Sequence, residues 1–215
     1  MPAQRRAARD ERRRKLGQNF LGSGFAERLV AQAEFVPGDF VVEVGPGLGA
    51  FTAALARRGV RVLAVELDAS LAARLRARFE PEFSGLVQVV QADFLSFALP
   101  RRPFRVLGSL PFGRTTDILR RLLEDPLQRL VRADVVVQWE VACKRAAVPP
   151  TTLLSTSWAP WWQFEIVCRI PAHEFRPIPR VDAGFLSVVR RREPLLPVAM
   201  APAFAQFVRA HWPAF

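Results

Sequence analysis

The sequence predicts an α/β fold: a doubly wound, mostly parallel sheet of seven strands with helices on both faces. Two observations predict it. From Phe40 onward, short runs of apolar β-formers alternate with segments of helical spacing, the order a parallel sheet with crossover helices requires. The first of these runs, Val41-Val42-Glu43-Val44, ends in Gly45-Pro46-Gly47-Leu48-Gly49, and a helical pattern then begins. Such a glycine turn lets a ligand approach the main chain closely and presents it with free N–H groups at the helix start.

Taken in order, residues 1–15 carry Arg5, Arg6, Arg9, Arg12, Arg13, Arg14 and Lys15 with almost no apolar residue. This basic flexible arm cannot join a core and is expected to order on RNA or DNA. Gln18-Asn19-Phe20-Leu21 precedes a helix capped near Ser23, with Phe25, Leu29 and Val30 on one face. Strands are expected at 40–44, 60–65 and 86–90, separated by helices at 51–57 and 70–79. A fourth strand at 105–107, a helix at 116–123 and a fifth strand at 133–139 follow. Two more strands, 164–170 and 184–189, are joined by the proline-rich stretch 171–179. The segment 194–215 holds four prolines and a short amphipathic piece at 204–212. It is too short for an independent domain, and reads as a terminal helix on the main body or the beginning of a small helical domain. The expected division is therefore a basic arm (1–15), a catalytic domain (16–193) and a short C-terminal tail (194–215).

A chain of 215 residues can bury one substantial core, since domains run to roughly 100–200 residues. Half of its residues are hydrophobic, yet no apolar run approaches the about 18 residues of a membrane span, and no secretory segment is visible. A soluble, cytoplasmic protein is expected. Cys143 and Cys168 lack metal-ligand spacing and fit a reducing compartment, so neither a metal nor a disulfide is expected. Net charge +11 and pI near 11.4 favour a polyanionic partner, bound through phosphate contacts and counterion release. Nucleic acid leads, with solubility as the plainer reading of the charge.

The ligand of the glycine turn can be narrowed by chemistry. Dinucleotide sites use G-x-G-x-x-G, whereas this turn reads G-x-G-x-G with Glu43 two residues before Gly45. A carboxylate is a poor neighbour for pyrophosphate but suits a cationic ligand with an amino-acid part and a nucleoside part, S-adenosylmethionine. Ligands in open α/β sheets sit at the carboxyl ends of the strands. Glu66, ending the second strand, is placed to accept both hydroxyls of a ribose, and Asp93, after the third, an adenine amine. Each acid alone reads equally well as a solvated strand end, and the joint placement is what favours a site. After the fourth strand comes Gly108-Ser109-Leu110-Pro111-Phe112-Gly113. Pro-Phe-Gly is an ordinary turn, but the Ser109 hydroxyl and the Leu110 carbonyl also offer two acceptors for a planar exocyclic amine, beside the flat face of Phe112.

Gln18-Asn19-Phe20-Leu21, Glu43 to Gly49, Glu66-Leu67-Asp68, Ala92-Asp93-Phe94, Ser109-Leu110-Pro111-Phe112 and Phe175-Arg176-Pro177-Ile178-Pro179-Arg180-Val181 follow one another as they do in ribosomal RNA adenine N6-methyltransferases. Over roughly 16–192 the chain resembles that family, and Gln138-Trp139-Glu140-Val141-Ala142 with Lys144-Arg145 is most similar to its Erm branch. The resemblance implies a Rossmann-like S-adenosylmethionine-dependent methyltransferase fold. It implies donor contacts at positions matching Asn19, Leu21, Gly45, Glu66, Asp93 and Ser109, to which the turn itself adds Glu43 and Gly47. It further implies a flipped adenine held at Ser109, Leu110, Pro111 and Phe112 and stacked on Phe112 and Phe175. The implied reaction is in-line attack of adenine N6 on the sulfonium methyl, with 23S rRNA as partner and macrolide-lincosamide-streptogramin B resistance as outcome. A monomer is expected. The alternatives are 16S rRNA dimethylation, an RNA-binding assembly or transcription factor that lost catalysis, and a dinucleotide oxidoreductase. Two departures stand out: Ser109 replaces the family's usual Asn and Phe112 its frequent Tyr, and the stretch from Pro194 covers only the opening of the family's helical C-terminal domain.

Overall fold

In the computed structural model, residues 19–212 are described. The basic residues from Arg5 to Lys15 lie outside them. The elements are β1 (Phe20–Leu21), α1 (Ser23–Gln32), β2 (Phe40–Val44), α2 (Ala50–Ala56), β3 (Arg61–Glu66), α3 (Ala69–Glu82), β4 (Val87–Gln91), β5 (Phe104–Ser109) and α4 (Thr115–Leu123). They continue with β6 (Leu130–Gln138), α5 (Trp139–Ala146), α6 (Leu153–Trp158), β7 (Trp162–Ile170), β8 (Phe175–Arg176), β9 (Ala183–Arg190) and α7 (Ala201–His211).

Seven strands form one sheet in the order β4-β3-β2-β5-β6-β9-β7. The first five are parallel, and β9 runs antiparallel to both β6 and β7. Both faces are covered, which is why the central strands are nearly continuous valine and leucine runs. One face packs Leu29, Leu55 and Phe79 under α1, α2 and α3. The other packs Phe104, Leu119 and Trp162 under α4 and the late helices. The chain leaves β2 toward β3 on one side and later returns as β5 on the other, so the sheet's topological switch point is the crevice at the carboxyl ends of β2 and β5. A partly buried charge network braces the opposite end. Arg105 on β5 bonds Asp39, Asp134 and the Ala33 carbonyl that ends α1, and its guanidinium lies over the Phe35 ring.

Three local features depart from expectation. The N-cap of α1 is Gly22, not Ser23, and no side chain caps the helix there. The proline-rich stretch is more than a connector: its β8 pairs antiparallel with β1, Leu21 opposite Phe175 and Phe20 opposite Arg176. The helices α5 and α6 add to the expected set, α5 starting directly where β6 ends. In the tail, α7 buries Ala201 and Val208, Phe204 meets Trp161 edge-on at 5.9 Å, and Trp161 Nε1 donates to the Leu196 carbonyl at 3.1 Å. No helix among the described residues is long and apolar enough to cross a membrane.

Candidate active site

A cavity of about 240 Å³ opens at the switch point. Its walls are the glycine turn, the ends of β3 and β4, the loop after β5, the first turn of α4, and the β1–β8 ribbon.

The turn owes its path to left-handed backbone at Gly45, Gly47 and Gly49, with φ of 64°, 59° and 83°. Its packing is as restrictive as its dihedrals. A Cβ on Gly47 would stand 2.8 Å from the Phe20 ring, and one on Gly49 would stand 2.3 Å from the Phe79 ring. The turn is thus pressed between β1 and α3 with its tip toward the cavity.

Glu66 holds that tip. Its Oε2 accepts the Gly47 N–H at 3.0 Å and its Oε1 accepts the Asp68 N–H at 2.9 Å. Burial pushes its pKa up, and the backbone N–H bonds pull against that rise. Each carboxylate oxygen keeps lone-pair capacity beyond its N–H bond, the requirement for gripping a vicinal diol. Asp93 is exposed on the opposite wall. Its Oδ1 accepts the Leu95 N–H at 2.9 Å, which shapes the loop, and Oδ2 takes no hydrogen bond from the described residues.

The loop after β5 is pinned at both ends. The Leu110 N–H donates to the Val136 carbonyl at 2.9 Å, while the Pro111 carbonyl accepts the Arg114 N–H at 2.9 Å and the Thr115 hydroxyl at 3.2 Å. Among the described residues, nothing bonds the Leu110 carbonyl or the half-buried Ser109 hydroxyl. These are the two acceptors available to an exocyclic amine. Phe112 is half-buried, and Phe175 is fully buried yet lines the same cavity. The β1–β8 pairing brings Asn19 and Leu21 to the cavity together with Phe175.

Of the residues singled out from sequence, Asn19, Leu21, Gly45, Gly47, Glu66, Asp93, Ser109, Leu110, Pro111, Phe112 and Phe175 line one cavity. Glu43 does not. Alternation along β2 puts it on the face of Val41, opposite Val44, under α2. There the Thr52 hydroxyl donates to its Oε2 at 2.7 Å, and Oε1 is buried with no partner among the described residues. Desolvation, opposed by the Thr52 bonds and reinforced by the charge of Glu66, raises its pKa to about 8. A carboxyl that is neutral at pH 7 and turned away from the cavity is not the counter-ion expected for a cationic ligand. Sequence reasoning passed over Phe20, Leu67, Phe94, Ile118 and Arg114, which also line the cavity. Leu67 and Phe94 adjoin the strand-end acids, and that adjacency was the available signal. No group of three or more His, Cys, Asp or Glu among the described residues could hold a metal ion.

Residues 9–212 match the family described as Ribosomal RNA adenine dimethylase. The chain is 38% identical over 196 residues to an rRNA adenine N-6-methyltransferase of Corynebacterium diphtheriae, covering 91% of this chain and 76% of that one. It is 40% identical over 185 residues to the mycinamicin-resistance protein MyrB of Micromonospora griseorubida, covering 86% of this chain and 58% of the relative. Among solved structures, the 23S rRNA methyltransferase ErmE matches with a TM-score of 0.79 at 34% identity, over 89% of this chain and 78% of that one. The chain spans about three fifths of the length of several curated relatives that it matches.

Proposed function

The chain belongs to the ribosomal RNA adenine dimethylase family, and from that premise we propose that it methylates the N6 amine of an adenine in 23S rRNA with S-adenosylmethionine as donor. One observation carries the reading: the Ser109-Leu110-Pro111-Phe112 loop shares a single cavity with Glu66 and Asp93. A nucleoside-binding wall and an amine-binding loop therefore face the same space.

The residues fit the donor by their chemistry. Glu66 has lone pairs for the ribose hydroxyls, Asp93 has an unused oxygen for the adenine amine, and Gly45 and Gly47, whose N–H groups are taken by Val65 and Glu66, have backbone carbonyls to offer the amino-acid end. The donor supplies an electrophilic methyl. The protein's own work is positioning. The Ser109 hydroxyl and the Leu110 carbonyl accept hydrogen bonds from the N6 hydrogens, which aligns the nitrogen lone pair and stabilises the positive charge that develops on N6. As the N–C bond forms, the S–C bond breaks, and the N6 proton then leaves to water. Phe112 and Phe175 offer flat faces to the extruded base. Stacking worth about 1–3 kcal/mol per base offsets part of the few kcal/mol that unstacking costs. In this reading Asn19, Leu21, Gly45, Gly47, Glu66, Asp93 and Ser109 hold the donor, and the basic arm at 1–15 gathers RNA. The methylated 23S rRNA confers macrolide-lincosamide-streptogramin B resistance, in keeping with the mycinamicin resistance for which one relative is named.

Labelled methyl transfer to 23S and 16S rRNA transcripts, followed by primer extension, tests this. A stop at one adenine of 23S rRNA is expected. A stop confined to 16S rRNA would move the substrate to the small subunit, and RNA binding without any transfer would reduce the protein to an RNA-binding factor.

A further inference from the structure

We infer that Arg114 is a phosphate-binding residue at the cavity mouth, taking the RNA backbone beside the extruded adenosine. The inference rests on the adenine-methylation reading above and deepens it.

Placement is the first support. Arg114 ends the 3-10 turn Phe112–Arg114, and its N–H bond to the Pro111 carbonyl fixes its main chain two residues beyond the proposed stacking face. Ile118, four residues on, is buried and lines the cavity. Arg114 is the N-cap of α4, so it and Ile118 border the cavity from the start of the same helix. Its side chain is 56% exposed, which puts the guanidinium at the rim rather than inside.

Charge is the second. Among the described residues that line the cavity, Arg114 is the sole base, and the other ionisable residues are Glu66 and Asp93. An interior with two acids suits a cationic donor and a neutral base. RNA brings one negative charge per nucleotide to the mouth, and Arg114 is the base among the described lining residues that can meet it.

Donor capacity is the third. The ion pair of Arg114 is with Asp117, Nε to Oδ2 at 3.3 Å, and neither Nη has a hydrogen bond among the described residues. A guanidinium with its two terminal nitrogens open can take phosphate bidentately. As a helix-surface ion pair alone, Arg114–Asp117 would contribute little to stability.

Three full-length variants test the assignment on a 23S rRNA fragment: Arg114→Ala, Arg114→Lys and Asp117→Asn. Arg114→Ala should raise the RNA KM roughly tenfold, the lower end for one charge-assisted hydrogen bond. It should also lower the salt slope of RNA binding by about 0.7–0.9, the value of one phosphate contact, and leave the affinity for S-adenosylmethionine within about twofold. Arg114→Lys should recover the salt slope but only part of the KM, because it keeps the charge and loses the fork. Asp117→Asn breaks the same ion pair, so a merely structural pair would make it resemble Arg114→Ala, whereas a phosphate contact predicts an unchanged or lower KM. An unchanged salt slope in Arg114→Ala, or a matching loss in Asp117→Asn, overturns the assignment, as does a tenfold loss of donor affinity. Filter binding of the same RNA reads the phosphate contact even where no methyl is transferred. Failure of the methylation reading is therefore distinguishable from failure of this one.

Discussion

Glu43→Gln isolates the energetics of the carboxyl buried beneath the glycine turn. In the folded protein Glu43 holds its proton up to about pH 8, against 4.5 for an ordinary glutamate. Between those values the native state binds more protons than the unfolded state. Its contribution to stability is therefore full below pH 4.5 and is lost as pH rises toward 8, at roughly 1.4 kcal/mol per pH unit. Glutamine cannot titrate, but it keeps a carbonyl for the Thr52 hydroxyl and imitates the neutral acid. The variant should be near neutral at pH 5 and should gain on the wild type by about 3 kcal/mol between pH 5 and 7.5, an order-of-magnitude figure from the same linkage. Urea melts at several pH values, followed by tryptophan fluorescence, measure this gap. Subtracting one protein from the other removes most of the pH dependence of Glu66 and Asp134, whose pKa values burial also raises. A gap that stays flat from pH 5 to 8, or widens as pH falls, would refute a neutral Glu43.

Three further outcomes are expected. Glu66→Gln removes one of the two acceptors that hold the Gly47 and Asp68 N–H groups, and should weaken S-adenosylmethionine binding tenfold or more by calorimetry; retained affinity would take Glu66 out of the donor site. Ser109→Asn should keep methyl transfer, because Asn offers the same acceptor on a longer side chain; a loss of tenfold or more would contradict the geometry proposed for the amine. Deleting residues 1–15 should weaken RNA binding and lower its salt dependence while leaving donor affinity intact, and an unchanged RNA affinity in a filter assay would count against the arm.

The sheet was legible because buried parallel strands declare themselves. Val41 to Val44 reads as a strand on β-branched content alone, and its expected bounds match the observed β2 (Phe40–Val44). The fourth strand was expected at 105–107 but runs Phe104–Ser109, since Gly108 looks like a breaker in a sequence. Its lack of a side chain is instead a packing requirement, with the Val44 carbonyl 2.5 Å from where a Cβ would sit. The β1–β8 ribbon was not legible, because two-residue strands carry no period and their pairing joins distant parts of the chain. The helix α5 begins with no turn after β6, so a strand pattern running into Trp139 concealed it.

Glu43 and Arg114 were hidden for opposite reasons. For Glu43 the needed signal was local: the two-residue period of β2 already assigned it to the face of Val41, and proximity to the glycine turn overrode that evidence. For Arg114 the signal is tertiary, because its place at the mouth depends on which face of α4 meets the cavity, and Ile118 decides that only once the helix is docked. The two placements bear on the electrostatics of the site together. With Glu43 bonded to Thr52 on the other side of the strand, the carboxyl that meets the cavity beneath the turn is that of Glu66, held by two backbone N–H groups. A second ionised carboxyl in the same low-dielectric region would raise the pKa of both. A proton held by Glu43 therefore spares Glu66 a like charge nearby, while burial still pushes the Glu66 pKa up against its backbone N–H bonds. With Glu66 inside and Arg114 at the rim, the cavity has an acidic wall and a basic edge, the arrangement that the proposed cationic donor and RNA acceptor call for.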